Sequence, residues 1–133
     1  MAGSIKDLSK YRYERASEEL ENAKLMLDNG KYKLALNRSY YSIFHGMRAV
    51  NVLDEFDSSK HSGVIAHFNQ YHVKTGGFSK EASKIIRTSS EMREHADYED
   101  FFVASRQDAE EQVQKAQIFH KFITEYLQNK GIL

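Results

Sequence analysis

The chain has no cysteine and no proline. Without thiols it can form no disulfide, no zinc site with sulfur ligands and no cysteine nucleophile. Without proline, and with only seven glycines in 133 residues, it lacks the turn punctuation of an all-β domain. Neither sign of charge is in excess. Lys plus Arg equals Asp plus Glu at 19 each, so nothing marks a general polyanion binder. No stretch approaches the ~18–20 apolar residues of a membrane span. Residues 1–10 lack the apolar centre of a signal peptide. The expectation is a soluble, cytoplasmic protein with no membrane partner. Its length fits a single domain over 1–133, with an ordered core over about 10–129. Such a chain buries roughly 65–70% of its unfolded surface and needs no staples.

What is present is helical periodicity. Ala16, Leu20, Ala23 and Leu27 form a stripe on a first helix predicted from Ser9 to Asn29, while Glu18, Glu19 and Lys24 lie off it. Gly30 stops it, because glycine enters the left-handed region cheaply. A second helix is predicted from Tyr32 to Leu53. Its apolar surface (Ala35, Leu36, Tyr40, Ile43, Phe44, Met47, Val50) is broad enough for a central helix with several neighbours. Ser59 is a candidate N-cap for a third helix to Tyr71, with Val64, Ile65 and Phe68 inward. Phe78 before Ser79 opens a fourth to Glu94, with Ala82, Ile85 and Ile86 inward. Ser105 and Asp108 form a variant capping box for a fifth helix to Asn129, carrying Val113, Ala116, Phe119, Ile123 and Leu127. The predicted class is all-α, an antiparallel bundle of four to five helices.

The segment Asn37-Arg38-Ser39-Tyr40-Tyr41-Ser42-Ile43-Phe44-His45 places polar groups in the most apolar helix. Arg38 and His45 differ by about 20° in azimuth and roughly 10 Å along the axis, with Tyr41 and Ser42 between them. Buried polar groups must be paired or must open onto a cleft. Two readings follow: Arg38 pairs a carboxylate and His45 closes a packing seam, or the strip is a site. Residues 96–104 are acidic and aromatic without clear periodicity. Asp97-Tyr98-Glu99-Asp100-Phe101-Phe102 is either a surface for a basic partner or a loop whose aromatics plug the bundle. Lys80, Lys84, Arg87 and Arg93, interrupted by Glu81, Glu91 and Glu94, read as a mixed solvated face.

The segment from Asn37 to His45, followed by Met47-Arg48-Ala49-Val50, resembles the signature helix of HEPN-domain proteins. Ser59-Lys60-His61-Ser62-Gly63-Val64 resembles that family's Lys-x-His-Ser segment. Arg93-Glu94-His95-Ala96-Asp97-Tyr98 resembles its Arg-x-x-x-Asp-Tyr segment. The match runs over about residues 10 to 128. The resemblance implies a helical bundle that forms homodimers. Many such proteins are encoded beside a nucleotidyltransferase, and some pairs act as toxin and antitoxin. Active members are metal-independent endoribonucleases with an Arg, four to six intervening residues and then a His, at the dimer cleft. Others are binding partners. Here Ser39 follows Arg38, where the nuclease motif usually has Asn, Asp or His, and Asp97 and Tyr98 follow Arg93, where a His and a Tyr would be expected.

The resemblance therefore implies first an interaction module, acting with a nucleotidyltransferase or with nucleic acid. The alternative is an endoribonuclease. In that case Arg38 would hold phosphate and His45 would move the proton of a ribose 2′-hydroxyl, with Arg93 and His95 as the second-choice pair. Asn37, Tyr41, Asp97 and Tyr98 would contact substrate. No cofactor and no metal are expected. His61, His67 and His72 are spaced by six and five, which puts them on different faces of an α-helix.

Overall fold

The computed structural model describes residues 2–133, with side chains from Ser4 onward. It contains α1 (Ala2–Asp28), α2 (Tyr32–Asn51), α3 (His61–Phe68), α4 (Lys80–Tyr98) and α5 (Arg106–Asn129). Among the described residues there is no strand, and no helix is long and apolar enough to cross a membrane. The all-α bundle is as predicted. α2 packs against the other four helices. Its residues Tyr40, Ile43, Phe44, Met47 and Val50 meet Val64 and Phe68 of α3, Ile85 and Ile86 of α4, and Phe119, Ile123 and Leu127 of α5. Gly46 lets α2 and α5 approach closely, since a Cβ there would lie 3.2 Å from Ile123 Cγ1.

Four boundaries differ from the sequence reading, each for a local reason. α1 begins before Ser9. Ser9 is fully buried in the α1/α2 seam, where its hydroxyl donates to Ala49 O at 2.6 Å. The last residues assigned to the second helix tighten into a 3₁₀ turn, Val52–Asp54, closed by Glu55 in the left-handed region at φ 59°. α3 is entered at Lys60 rather than Ser59, and Ser58 Oγ instead accepts the Lys60 N–H at 3.1 Å. α4 runs on to Tyr98, beyond Glu94. Ala96 packs with Leu36 and Ala104, and Arg93 pairs with Asp97 one turn on. Ser79 stands at the start of α4 but makes no side-chain cap. Ser105 does make its capping box, accepting from Asp108 N at 3.0 Å.

One departure changes what the chain can do. After Phe68 the helix widens into a π turn, Asn69–Val73, with Lys74 N donating to Asn69 O at 2.9 Å. In an α-helix, residues five apart diverge by about 140°. The i→i+5 pattern of a π turn realigns them. His67 and His72 therefore share a face, and both meet the same oxygen of Asp54, at 2.9 and 2.6 Å. The expectation that these histidines point to different faces fails because it assumed α periodicity throughout.

Candidate functional site

The three segments that carry the family resemblance meet along one polar seam. At its centre Tyr40 is fully buried, so its hydroxyl needs a partner. It is hydrogen-bonded to His61 Nδ1 at 2.7 Å. Burial pushes the Tyr40 hydroxyl up to about 12, outweighing the opposite pull of Arg93. Burial, then the nearby Arg93, lowers the pKa of His61. Both groups are thus neutral near pH 7. The His61 ring also stacks on Phe44, centroids 4.4 Å apart.

Arg93 comes from α4 and is buried, which corrects its assignment to a solvated face. Its guanidinium lies 4.7 Å from the Tyr40 ring centre and 5.8 Å from that of Tyr98. Its Nη1 donates to Asp97 at 3.4 Å. Asp97 in turn accepts from Asn37 Nδ2 at 3.2 and 3.3 Å, which ties α4 to α2. Asn37 Oδ1 accepts from Arg38 Nε at 2.9 Å. Arg38 then reaches α1. Its Nη1 donates to Glu19 Oε2 at 2.5 Å, and the guanidinium sits over the Tyr41 ring at 5.1 Å. The Glu19 side chain is only 7% exposed, so the pair is half-sealed from water. A continuous polar chain therefore runs Glu19, Arg38, Asn37, Asp97, Arg93, across three helices.

His45 stands at the edge of this seam. Tyr41 separates it from Arg38, with the two aromatic rings 6.3 Å apart. Its pKa is lowered to about 4, by burial first and then by Arg15, with Glu19 opposing and Arg48 and Arg12 adding to the fall. Ser42, on the same strip, donates to Ala16 O at 2.8 Å and holds α1 to α2. The second-choice pair does not assemble. Residues two apart on a helix point about 200° apart. Arg93 is buried, whereas His95 is exposed and pairs with Glu99.

The structure thus brings together Asn37, Arg38, Tyr41, Arg93, Asp97 and Tyr98. It leaves His45 at the margin and His95 outside. The sequence reading gave no role to Glu19, Tyr40 or His61. Tyr40 falls in an apolar stripe and reads as core, and only the nearness of His61 to Lys60 and Ser62 in a family-like segment could have singled it out. Chemically, the seam offers one neutral hydrogen-bonded pair and two arginines already held by carboxylates. A phosphate would compete with Glu19 for Arg38 and with Asp97 for Arg93.

Beside the seam, the aromatics after Arg93 do not plug the bundle as one reading had it. Tyr98, Phe101 and Val103 are 74%, 96% and 85% exposed. Only Phe102 turns in, against the cluster of Leu36, Ala96 and Ala104. The exposed carboxylates Asp97, Glu99 and Asp100 adjoin this group in sequence, Asp97 paired with Arg93 and Glu99 with His95.

Comparison with known proteins agrees with the resemblance seen in the sequence. The HEPN domain matches residues 9–127. A Thermotoga maritima protein called "UPF0332 protein" is 37% identical over 109 residues, covering 82% of this chain and 83% of its own. A Methanocaldococcus jannaschii protein named "Putative toxin MJ0142" is 31% identical over 120 residues, 90% of this chain and 82% of that one. A second protein of that organism, "Putative toxin MJ0605", is 38% identical over 85 residues, 64% of this chain and 63% of its own.

Proposed function

The chain belongs to the HEPN-domain family, and we propose that it serves there as an interaction module: a homodimer that docks a nucleotidyltransferase chain. The observation that carries this reading is the group Tyr98, Phe101 and Val103, standing in water at the end of α4. Large apolar side chains clustered on a surface favour an interface. The acidic rim of Asp97, Glu99 and Asp100 suits a partner with basic residues around an apolar pocket. The resemblance supplies the nucleotidyltransferase, and the names of two relatives support a place in a toxin–antitoxin pair. The dimer contact is assigned to the open edge of α2, where Leu34 is 49% exposed and Asn37, Arg38, Tyr41 and His45 are only part-covered.

The test is co-expression and co-purification with a minimal nucleotidyltransferase of the kind the resemblance implies, read by size-exclusion chromatography with light scattering. The wild type is expected to form a complex. The double variant Tyr98→Ser, Phe101→Ser is expected to lose it with an unchanged melting temperature, since neither side chain is in the core. A wild type that forms no complex, or a variant that still does, refutes the docking surface.

A second reading, an endoribonuclease, is favoured by one observation: Arg38, Tyr41 and His45 follow one another along that same open edge, and a dimer would bring two such sets together. His45 is neutral at pH 7 and would act as base toward a 2′-hydroxyl, while Arg38 would leave Glu19 to hold the phosphate. RNA cleavage that resists EDTA and is lost in His45→Ala, at matched stability, is the result that would establish it. No cleavage by either folded protein leaves docking as the function.

A further inference from the structure

We propose that Asp54, His67 and His72 form a binding site for a single zinc-class transition-metal ion, remote from the polar seam. The 3₁₀ turn after α2 supplies Asp54, the end of α3 supplies His67, and the π turn supplies His72. One ligand atom from each lies within 4.8 Å of the others. Both imidazoles already direct Nε2 at the same carboxylate oxygen, at 2.9 and 2.6 Å. In a tetrahedral zinc site with bonds of about 2.0–2.1 Å, neighbouring ligand atoms stand about 3.3 Å apart. To admit an ion the two nitrogen–oxygen distances need to open by several tenths of an ångström, and the two imidazole nitrogens, within 4.8 Å of each other, need to settle near that same spacing.

The donor set chooses the class. Two imidazoles and one carboxylate suit zinc, cobalt(II) or nickel(II), whereas magnesium and calcium require oxygen. Three protein ligands leave a fourth position for water or a small anion. Two of the three ligands, Asp54 and His67, line a surface depression walled also by Phe56, Gly63 and Gln70.

The cluster is also held in place as ligand sets are. His67 is clamped between Phe56, stacked at 4.0 Å, and Tyr71 at 4.5 Å. The His72 side chain is 7% exposed, and its ring touches Phe68, Phe78 and Tyr126. Its backbone carbonyl accepts the Phe78 N–H at 2.9 Å. Gly77 permits that approach, since a Cβ there would lie 3.2 Å from the His72 oxygen. A π turn breaks regular helix geometry, and here its effect is to align two imidazoles that an α-helix would separate.

The test uses full-length, untagged protein freed of metal with EDTA and titrated with Co²⁺ as an optical probe. The wild type is expected to develop the visible absorption of a four- or five-coordinate site, saturating at one equivalent and abolished by Zn²⁺. Asp54→Asn and His67→Gln are expected to lose it, and His95→Ala to keep it. His72 is left intact because it is part of the core. Should either variant fail to fold, the wild type still decides the question by nitrogen-15 NMR of its imidazoles. One equivalent of Zn²⁺ should shift the ring nitrogens of His67 and His72 and leave those of His45, His61, His95 and His120 in place. No absorption with stoichiometric Co²⁺, or Zn²⁺ shifts spread over the other histidines, overturns the site.

Discussion

Removing Arg38 separates a structural role from a catalytic one. In Arg38→Ala the Glu19 carboxylate, 7% exposed, loses its cation, and the Tyr41 ring loses its stacked guanidinium. Breaking a buried ion pair from one side costs about 3–5 kcal/mol. Two features reduce that here. The Arg38 side chain is 34% exposed, and Asn22 Nδ2 still donates to Glu19 Oε1 at 3.0 Å. The expected loss is therefore about 2–3 kcal/mol. For a domain of this length that is a fall of roughly 6–10 °C in melting temperature. Glu19→Gln should cost less, about 1 kcal/mol, because the charge it strands can reach water. The double variant should recover part of the loss, since it leaves no buried charge behind. Urea unfolding of the four proteins measures all three numbers. A loss below about 1 kcal/mol for Arg38→Ala, or costs that simply add, would refute the view that Arg38 holds α2 to α1. Lost RNA cleavage at unchanged stability would instead place Arg38 in catalysis.

His45 predicts a pH dependence. Its folded pKa of about 4 lies below the ordinary 6.5, so between these values the unfolded chain binds the extra proton. Stability contributed by the neutral ring is complete above about 6.5 and is lost as pH falls toward 4. A sealed group would lose about 3 kcal/mol; this ring is part-exposed, so about 1–2 kcal/mol is expected. His45→Asn should flatten that portion of the profile, and an identical profile in wild type and variant would contradict the assignment. Tyr40→Phe leaves His61 Nδ1 without its hydrogen-bond partner and should cost about 1–1.5 kcal/mol, visible as a lower urea midpoint. An unchanged midpoint would mean the pair holds nothing. Gly46→Val pushes methyl groups into Ile123 and Phe119 and should cost about 2–3 kcal/mol, part of it restored by Ile123→Ala in the same chain. A Gly46→Val protein as stable as wild type would show that α5 can retreat.

The helices were legible because burial imposes a period and every helix has a buried side. Val50, Ile86 and Ile123 sit where their spacing placed them. The capping box at Ser105 was legible for a different reason, since Asp108 stands at the one distance from which it can answer. The seam was legible only in part. Arg38 and Arg93 announce themselves as charges in apolar helices; the partner of Arg38, Glu19, is a tertiary contact 19 residues away, whereas Asp97 stands one helical turn from Arg93, a pairing that spacing alone allows. Tyr40 hid because a phenol on an apolar stripe looks like core until its hydroxyl finds His61. The aromatics after α4 defeated the pattern because only Phe102 of that segment packs inward, and one inward residue sets no period. The π turn defeated it because widening one turn needs no special residue, and the rule used to reject His67 and His72 assumed a constant pitch.

That widened turn has a further meaning as a matter of chain length. A π turn is an α-helix with one residue too many. Its extra residue falls among Asn69–Val73, where Gln70 and Tyr71 are both exposed. Deleting Gln70 would let the helix run on in regular α form. His67 and the following histidine would then stand four apart, on one side of that helix, still able to reach Asp54. The downstream chain would keep its place, since five residues in the wide turn advance about as far as four in the narrow one. The two imidazoles would thus survive a change of length that moves every later residue number by one, and in a comparison of chains their spacing would vary where their position in space does not.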